Sequence, residues 1–164
     1  MSATNRTRTY SWEDPMIGAK QAMTMNGLDY LQAISAKQLP PPPLTHTLDI
    51  GVGEVEKGKV VFTFVPQEFH YNPIGTVHGG VISTIIDSAM GCTLHSLLEA
   101  GTGYTTLELK VNFLKAITVK TGELRAIGKV INLGSRTALV EAELVDEKGT
   151  LYAYGVSTCL ILKP

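Results

Sequence analysis

The chain has 164 residues, of which 44% are hydrophobic and 18% charged, and its 14 basic and 15 acidic side chains give a net charge of −1. This length and composition predict one globular domain and exclude an intrinsically disordered chain. A nearly neutral chain lacks the basic field that nucleic-acid binding needs, so we expect no nucleic-acid partner. Two cysteines are too few for a disulfide framework or a four-thiolate zinc site, and the spacing of the four histidines suggests no metal site.

Membrane and export signals are not expected. The sequence contains no run of the roughly 20 apolar residues that a membrane-spanning helix needs, so no membrane partner is predicted. Residues 1–12 are polar, carry Arg6 and Arg8, and contain no apolar run, unlike a secretory signal. We therefore expect a cytoplasmic protein whose residues 1–10 form a frayed tail.

Residues 1–43 are predicted to form an N-terminal helical extension that ends in a proline-rich spacer. Asp14 followed by Pro15 is typical of a helix start, and this helix is expected to end near residue 26. Three apolar residues spaced three apart predict a second short helix: Leu28, Leu31 and Ile34. The four prolines at 40–43 are expected to be extended. A docking motif for a proline-binding module is the alternative to a spacer.

Residues 44–164 are predicted to form the main domain, of α+β class. Strands are expected at residues 47–51, 59–65, 104–114, 123–131, 137–145 and 151–162. In residues 104–114, apolar Leu107, Leu109, Val111 and Phe113 alternate with polar residues, which predicts one buried face. Turn sequences at 132–135 and 146–149 predict consecutive hairpins, hence an antiparallel meander.

One long helix is predicted between these strands. It should begin after Gly79 and Gly80 and end before Gly101, with a wide apolar stripe at helical spacing. A helix with so wide a stripe is expected to be largely enclosed by the sheet.

The start of this helix carries the residues that suggest chemistry. Gly79 and Gly80 leave the first N–H groups of the helix open, and these donors suit an anion or a developing oxyanion. Asp87 is a carboxylate on a largely apolar helix, which is costly unless it is paired or used. Gly79 and Asp87 are eight residues apart, about 12 Å along a helix axis, so two groups acting on one carbon should come from different chains.

The motif that joins these residues is similar to one in a known family. Asn72, the triplet His78-Gly79-Gly80 and Asp87, followed by residues 104–114, resemble the hotdog-fold acyl-CoA thioesterases of the phenylacetate-degradation (PaaI-like) type. The resemblance covers about residues 44–162. It implies a long central helix wrapped by a curved antiparallel sheet of five or six strands, a homodimer with a continuous sheet and an interfacial active site, and usually a homotetramer.

The resemblance also implies roles for single residues. The Gly79 N–H would polarise the thioester carbonyl, with Asn72 helping to hold the carbonyl or the water, and Asp87 would act as base or nucleophile. Thr106 would position the water or the carboxylate, with Thr105 as the alternative. His78 and Gly80 complete the motif, and His78 is as readily structural. Where relatives often have Arg-Pro after this strand, this chain has Lys115-Ala116, which is expected to alter cofactor contacts only.

These residues predict a hydrolase that cleaves an acyl- or aryl-CoA thioester to a free acid and coenzyme A, with no cofactor, because coenzyme A is part of the substrate. Its phosphates are expected to meet Lys115, Ser135 and Arg136, and the acyl group to lie near Met90 and Leu94. Four side chains of the extension are expected to cap that groove: Trp12, Met16, Met23 and Tyr30. Three alternatives stay open, namely a noncatalytic acyl-CoA-binding module, a hotdog enoyl-CoA hydratase or dehydratase, and a purely structural oligomer.

Overall fold

A computed structural model describes residues 5–163 of the chain. The N-terminal part forms three helices: α1 (Pro15–Ala22), α2 (Gly27–Ser35) and α3 (Pro43–Leu48). Two strands follow, β1 (Ile50–Glu56) and β2 (Lys59–Phe64), and then a single 3-10 turn (Glu68–His70). The remaining elements are α4 (Gly79–His95), β3 (Gly103–Phe113), β4 (Leu124–Leu133), β5 (Thr137–Asp146) and β6 (Leu151–Leu162).

The six strands form one antiparallel sheet in the order β1-β2-β4-β5-β6-β3. Helix α4 packs against β2, β3, β4, β5 and β6, so the sheet curves around it. Its apolar stripe forms the centre of the core, with Ile85, Ile86, Ala89 and Met90 fully buried. The predicted α+β architecture, one long helix wrapped by a curved antiparallel sheet, is therefore confirmed, as is the helical N-terminal extension.

The capping residues of the extension explain where its helices begin. Asp14 caps α1 as predicted, because its Oδ1 accepts a hydrogen bond from the Met16 N–H at 2.9 Å. This helix ends at Ala22 instead of near residue 26. Asn26 begins the next helix, since its Oδ1 accepts from the Asp29 N–H at 2.9 Å. An N-cap residue satisfies N–H groups that have no partner within the helix, which fixes the start of α2.

Two local predictions about residues 40–56 are wrong. Residues 43–48 form helix α3 instead of the start of a strand, and Pro43 occupies its first turn, where the missing N–H of proline removes no helical bond. The prolines before it remain outside the helix. Strand β1 begins at Ile50, three residues later than the strand expected at residues 47–51. Its extension to Glu56 had no sequence signal, because its glycines interrupt the alternation of apolar residues. The boundary expected between residues 43 and 44 falls at the start of α3.

The predicted meander of β4, β5 and β6 is confirmed. Strand β3 pairs with β6 and lies at the edge of the sheet, so it has no hydrogen-bonded neighbour on its outer side within residues 5–163. A register shift between Thr106 and Glu108 interrupts the alternation of β3. Leu107 and Phe113 are 57% and 53% exposed, so the apolar face that we expected to be buried is largely open in the single chain.

Part of the predicted frayed tail is held against the domain. The Arg8 guanidinium donates hydrogen bonds to the carbonyl oxygens of His46 and Thr47 and lies over the Phe69 ring, 4.1 Å from its centroid. Residues 1–4 of the predicted tail lie outside the described residues. Of the helices between residues 5 and 163, none combines the length and the apolar character needed to cross a membrane.

Candidate active site

The first turn of α4 presents one backbone donor to a cavity. His78 is the N-cap residue, and its Nδ1 accepts a hydrogen bond of 2.8 Å from the Gly80 N–H. The Val81 N–H donates to the His78 carbonyl oxygen at 3.0 Å. Among residues 5–163, no acceptor is bonded to the Gly79 N–H. Of the two glycines, therefore, only Gly79 offers a donor to a ligand.

Gly79 lines a cavity of about 320 Å³ whose other walls include Asn72, Phe113 and Lys115. The Phe113 ring lies directly over Gly79, because a Cβ atom added there would be 3.2 Å from Phe113 Cζ. The absence of a side chain thus allows the end of β3 to approach the first turn of α4. The same cavity brings together three predicted site residues: Asn72, Gly79 and Lys115.

The side chain of Asn72 is occupied by its own loop. Its Oδ1 accepts from the N–H groups of Ile74 and Thr76, at 3.1 and 3.2 Å, and its Nδ2 donates to Thr76 Oγ1 at 2.9 Å. Such an Asx turn shapes the loop that leads to Gly79. In this arrangement Asn72 supports the wall of the cavity, and its side-chain amide is already hydrogen bonded within the loop.

The carboxylate of Asp87 lies in a second cavity and is held by β3. Thr106 Oγ1 donates a hydrogen bond of 2.9 Å to Asp87 Oδ1. Both side chains are half-buried, whereas Thr105 points to solvent. The register shift after Thr106 lies next to this contact. A β-bulge commonly turns a side chain toward a site, which accounts for the inward position of Thr106.

The Asp87 cavity measures about 370 Å³ and is mostly apolar, with a second polar group formed by Cys92, His95 and Tyr104. Burial raises the pKa of the Cys92 thiol to about 12, so the thiolate that nucleophilic catalysis requires is scarce at neutral pH. Burial raises the pKa of Tyr104 and lowers the pKa of His95, which favours the neutral form of each ring. Neither Cys92 nor Tyr104 is therefore readily ionised at neutral pH.

The glycine at position 91 lets Tyr104 reach across α4. A Cβ atom at Gly91 would lie 2.5 Å from the Tyr104 hydroxyl oxygen, a separation that no packed side chain could adopt. Glycine within a helix lowers stability by roughly 1 kcal/mol relative to alanine, and here it opens the space into which the tyrosine fits.

Strand β3 runs antiparallel to α4 along the whole site. Phe113 lies beside Gly79, Thr106 bonds Asp87, and Tyr104 crosses Gly91. Gly79 and Asp87 consequently open into different cavities of one chain, separated by eight residues of helix or about 12 Å. In a single chain the two groups do not meet on one substrate atom.

The other predicted residues are dispersed. Met90 is fully buried in the core near Gly155, lines neither cavity, and therefore packs the interior instead of meeting a ligand. Ser135 and Arg136 are exposed in the β4–β5 turn. Of the four side chains expected to cap the acyl groove, only Tyr30 lines the Asp87 cavity; the rest are exposed: Trp12, Met16 and Met23.

Three residues of the Asp87 cavity were missed in the sequence: Cys92, His95 and Tyr104. A signal for the first two was present, since positions 87, 88, 92 and 95 lie on one face of a helix. No group of three residues able to hold a metal ion occurs between residues 5 and 163.

Comparison with known proteins identifies the family. Residues 74–153 match the family model of the thioesterase superfamily. Acyl-coenzyme A thioesterase 13 of Pongo abelii is 30% identical over 107 residues, which cover 62% of this chain and 71% of that protein. The 1,4-dihydroxy-2-naphthoyl-CoA hydrolase of Listeria monocytogenes is 29% identical over 118 residues, which cover 72% of this chain and 93% of that protein.

A solved structure shows the same fold. The Escherichia coli PaaI protein from the phenylacetic acid degradation operon superposes with a TM-score of 0.70 at 18% identity, covering 84% of this chain and 95% of its own. At that identity the likeness bears on the fold alone, and the sequence relatives carry the family assignment. The chain therefore belongs to the thioesterase superfamily, as a thioester hydrolase with the hotdog fold.

Proposed function

We propose that this protein hydrolyses acyl-CoA thioesters at a site shared by two chains, with Asp87 as the base and the Gly79 N–H as the oxyanion donor. The observation that carries the proposal is the Thr106–Asp87 hydrogen bond of 2.9 Å inside a largely apolar cavity. A carboxylate fixed beside an apolar cavity suits a substrate with an apolar group next to a hydrolysable bond. Both sequence relatives described above are named for CoA thioester cleavage.

The chemistry requires little from the protein, because a thioester carbonyl is electrophilic and a thiolate leaves readily. Asp87 would take a proton from a water molecule as the water oxygen attacks the thioester carbon. The Gly79 N–H would stabilise the negative charge that forms on the carbonyl oxygen. Collapse of the tetrahedral intermediate breaks the carbon–sulfur bond, and the thiolate of coenzyme A takes up a proton. A nucleophilic attack by Asp87 itself would use the same two groups.

The edge strand supports a shared site. Strand β3 has apolar side chains exposed along an unpaired edge, which is the kind of edge that pairs with a second chain. Antiparallel pairing of two β3 strands about a centre midway between Thr106 and Phe113 would set Phe113 opposite Thr106 of the second copy. Neighbouring strands are about 4.8 Å apart. This pairing would bring the Gly79 of one copy toward the Asp87 of the other.

The coenzyme A portion of the substrate would occupy the Gly79 cavity. Lys115 lines this cavity and is exposed, so its ammonium group is available to a phosphate. Ser135 and Arg136 stay predicted contacts for the nucleotide end. No separate cofactor enters the reaction. The homodimer is the smallest unit that this proposal needs, and the homotetramer stays a prediction from the family resemblance.

The test is release of free thiol from a panel of acyl-CoA substrates. The wild-type protein should release coenzyme A, and Asp87→Asn should lower kcat by about 10²–10⁴-fold with KM nearly unchanged. Ser83→Ala, on the same helix but in the lining of neither cavity, is the matched control for folding. Binding of acyl-CoA without thiol release would identify a noncatalytic binding module, and hydration of an enoyl-CoA would identify a hydratase; either result contradicts the proposal.

A further inference from the structure

The Asp87 cavity is closed by a part of the chain that precedes the family match. The three N-terminal helices and their connections supply nearly half of its lining, whereas the residues matched to the family model begin at 74. The principal contributors from this part are Tyr30, Leu31, Ile34, Pro42, Leu44 and Thr45. The gap between the two sheet edges beside α4 is therefore covered by helices α1 to α3, which are together called the extension below.

The cover lies at the end of the cavity that is remote from the carboxylate. Asp87 and His95 both line the cavity from α4, and they are eight residues apart, or about 12 Å. The Tyr30 ring packs on the His95 ring with centroids 5.6 Å apart. Strands β1 and β2 also contribute to the lining, with the apolar side chains Ile50, Val52 and Phe62. An acyl group that starts at Asp87 would run along α4 and end at Tyr30.

The cover is held at both of its ends. The Gly27 N–H donates to the Leu98 carbonyl oxygen at 3.0 Å, and α2 begins so close to α4 that a Cβ atom at Gly27 would lie 1.8 Å from the His95 carbonyl oxygen. At the other end, the His70 ring nitrogen Nε2 is hydrogen bonded to the Leu48 carbonyl oxygen at 2.8 Å. Both contacts tie the extension to the main domain, so the far wall of the cavity has a fixed position.

We propose that the N-terminal extension is the end wall of the acyl-binding cavity and sets the largest acyl group that the enzyme accepts. This inference rests on the proposed function. A cavity of about 370 Å³ has room for about twelve groups of the size of a water molecule, at about 30 Å³ each. The preferred substrates are therefore CoA thioesters of alkyl or aryl acids with up to about ten carbon atoms, and long-chain acyl groups such as palmitoyl are excluded.

The test changes the volume of the cavity in both directions. Ala22 lines the cavity at the end of α1, so Ala22→Phe fills it, while Leu44→Ala empties part of it. Leu44 is 47% exposed, which makes its truncation compatible with folding. The control is Met23→Phe, which introduces the same aromatic ring one residue from Ala22, at a side chain that is 59% exposed and outside the cavity. Each protein is assayed with acetyl-, butyryl-, octanoyl-, dodecanoyl- and palmitoyl-CoA.

We expect Ala22→Phe to lower kcat/KM for octanoyl-CoA by about tenfold or more while acetyl-CoA turnover changes by less than about twofold. Leu44→Ala should raise kcat/KM for dodecanoyl-CoA, and Met23→Phe should reproduce the wild-type profile. A chain-length profile that is the same in all four proteins would overturn the inference. So would turnover of palmitoyl-CoA by the wild-type enzyme at the octanoyl rate.

A second measurement keeps this inference separate from the proposed function. Calorimetric titration of the same proteins with free carboxylic acids of the same lengths gives the size limit without turnover. The wild-type protein should bind octanoate and not palmitate, and Ala22→Phe should lose octanoate binding. Absence of thiol release with this binding pattern would contradict the proposed function alone. Equal binding of octanoate by wild type and Ala22→Phe would contradict the end wall alone.

Discussion

Thr106 Oγ1 and Asp87 Oδ1 are joined by a hydrogen bond of 2.9 Å that links the edge strand of the sheet to the central helix. The threonine hydroxyl is the donor, so one lone pair of the carboxylate is fixed and the other oxygen, Oδ2, is left for a water molecule. The bond thus orients the carboxylate relative to the cavity.

Removing this hydrogen bond should reduce catalysis without removing the base. Thr106→Val replaces the hydroxyl by a methyl group of similar shape, so we expect kcat to fall by about tenfold, the equivalent of about 1.4 kcal/mol. Thr106→Ser keeps the donor and should stay within about threefold of wild type by the same measure. Steady-state kinetics with one acyl-CoA checks both variants. A loss of activity in Thr106→Ser, with Thr106→Val at the wild-type rate, would show that the methyl group, and not the hydroxyl, matters.

The Gly79 N–H can be deleted with little change to the backbone. His78 has φ −63° and ψ 136°, a conformation that a following proline favours, and proline is well tolerated at the first position of a helix. Gly79→Pro should therefore lower kcat by about 10²–10³-fold, the usual effect of losing one oxyanion donor.

Gly79→Ala is the control for this change, because it keeps the N–H and adds a Cβ atom 3.2 Å from the exposed ring of Phe113. It should lose much less activity than Gly79→Pro. If the two variants are equally impaired, bulk at position 79 is responsible and the oxyanion role is wrong. Thermal unfolding of each variant shows whether the helix start is intact.

Much of the fold was predictable because the strong signals are local. The Asp14 cap, the long apolar stripe of α4 and the strand at residues 151–162 all follow from spacing within one segment, and each is confirmed. Pairing of β3 with β6 was not predictable, since neighbours along the chain usually pair and β3 does not pair with β4. Helix α3 was missed because Pro43 serves as its first residue instead of as a breaker.

For the site, the motif singled out Gly79, Asp87 and Thr106, each of which lines a cavity, but it did not reveal what surrounds them. The wall contributed by Tyr30 and Leu44 depends on how the extension folds back onto the main domain, and the spacing of residues in the sequence does not predict this. Met90 was assigned to the acyl groove because it lies on the same helix as Asp87, yet it faces the core. Which side chains of α4 face the core depends on the position of the sheet, and the position of the sheet became known only from the structure.

Lys115 should contribute to substrate affinity more than to turnover. It lines the Gly79 cavity, where the phosphates of coenzyme A are proposed to lie. Lys115→Ala is expected to raise KM for an acyl-CoA by about fivefold, or about 1 kcal/mol, with kcat unchanged. The increase should shrink at high salt, because an exposed charge is screened. Lys148→Ala, in the β5–β6 turn, is the control. An identical KM in both variants would show that Lys115 does not contact the phosphates of coenzyme A.

The stability of the protein should fall in mild acid. Burial lowers the pKa of His70 below its usual value of 6.5, and its Nδ1 already accepts from the Gln67 N–H at 2.9 Å. Below about pH 6.5, His70 is therefore protonated in the unfolded chain but not yet in the folded chain. The contribution of His70 to the free energy of unfolding is thus fully present above that pH and is lost as the pH falls through the folded pKa. Burial lowers the pKa of His95 as well, with the same sign.

Denaturant unfolding at about pH 7.5 and about pH 5.5 measures this effect. The wild-type free energy of unfolding should decrease between the two, and His70→Gln should show a smaller decrease, with the remainder due to His95. A pH dependence that is the same in both proteins would show that His70 does not carry the effect.

The shared site is tested most directly by mixing two inactive variants. Asp87→Asn and Gly79→Pro chains are each expected to be inactive alone, because every site in either dimer lacks one group. In hybrid dimers, one of the two sites combines an intact Asp87 with an intact Gly79 from the other chain.

Co-refolding equal amounts of the two variants and measuring thiol release from octanoyl-CoA should therefore recover about one quarter of the wild-type rate, since random pairing makes half of the dimers hybrids with one working site each. If both groups acted within a single chain, no hybrid would contain an intact site. A mixture whose hybrid dimers form but remain as inactive as the separate variants would contradict the account.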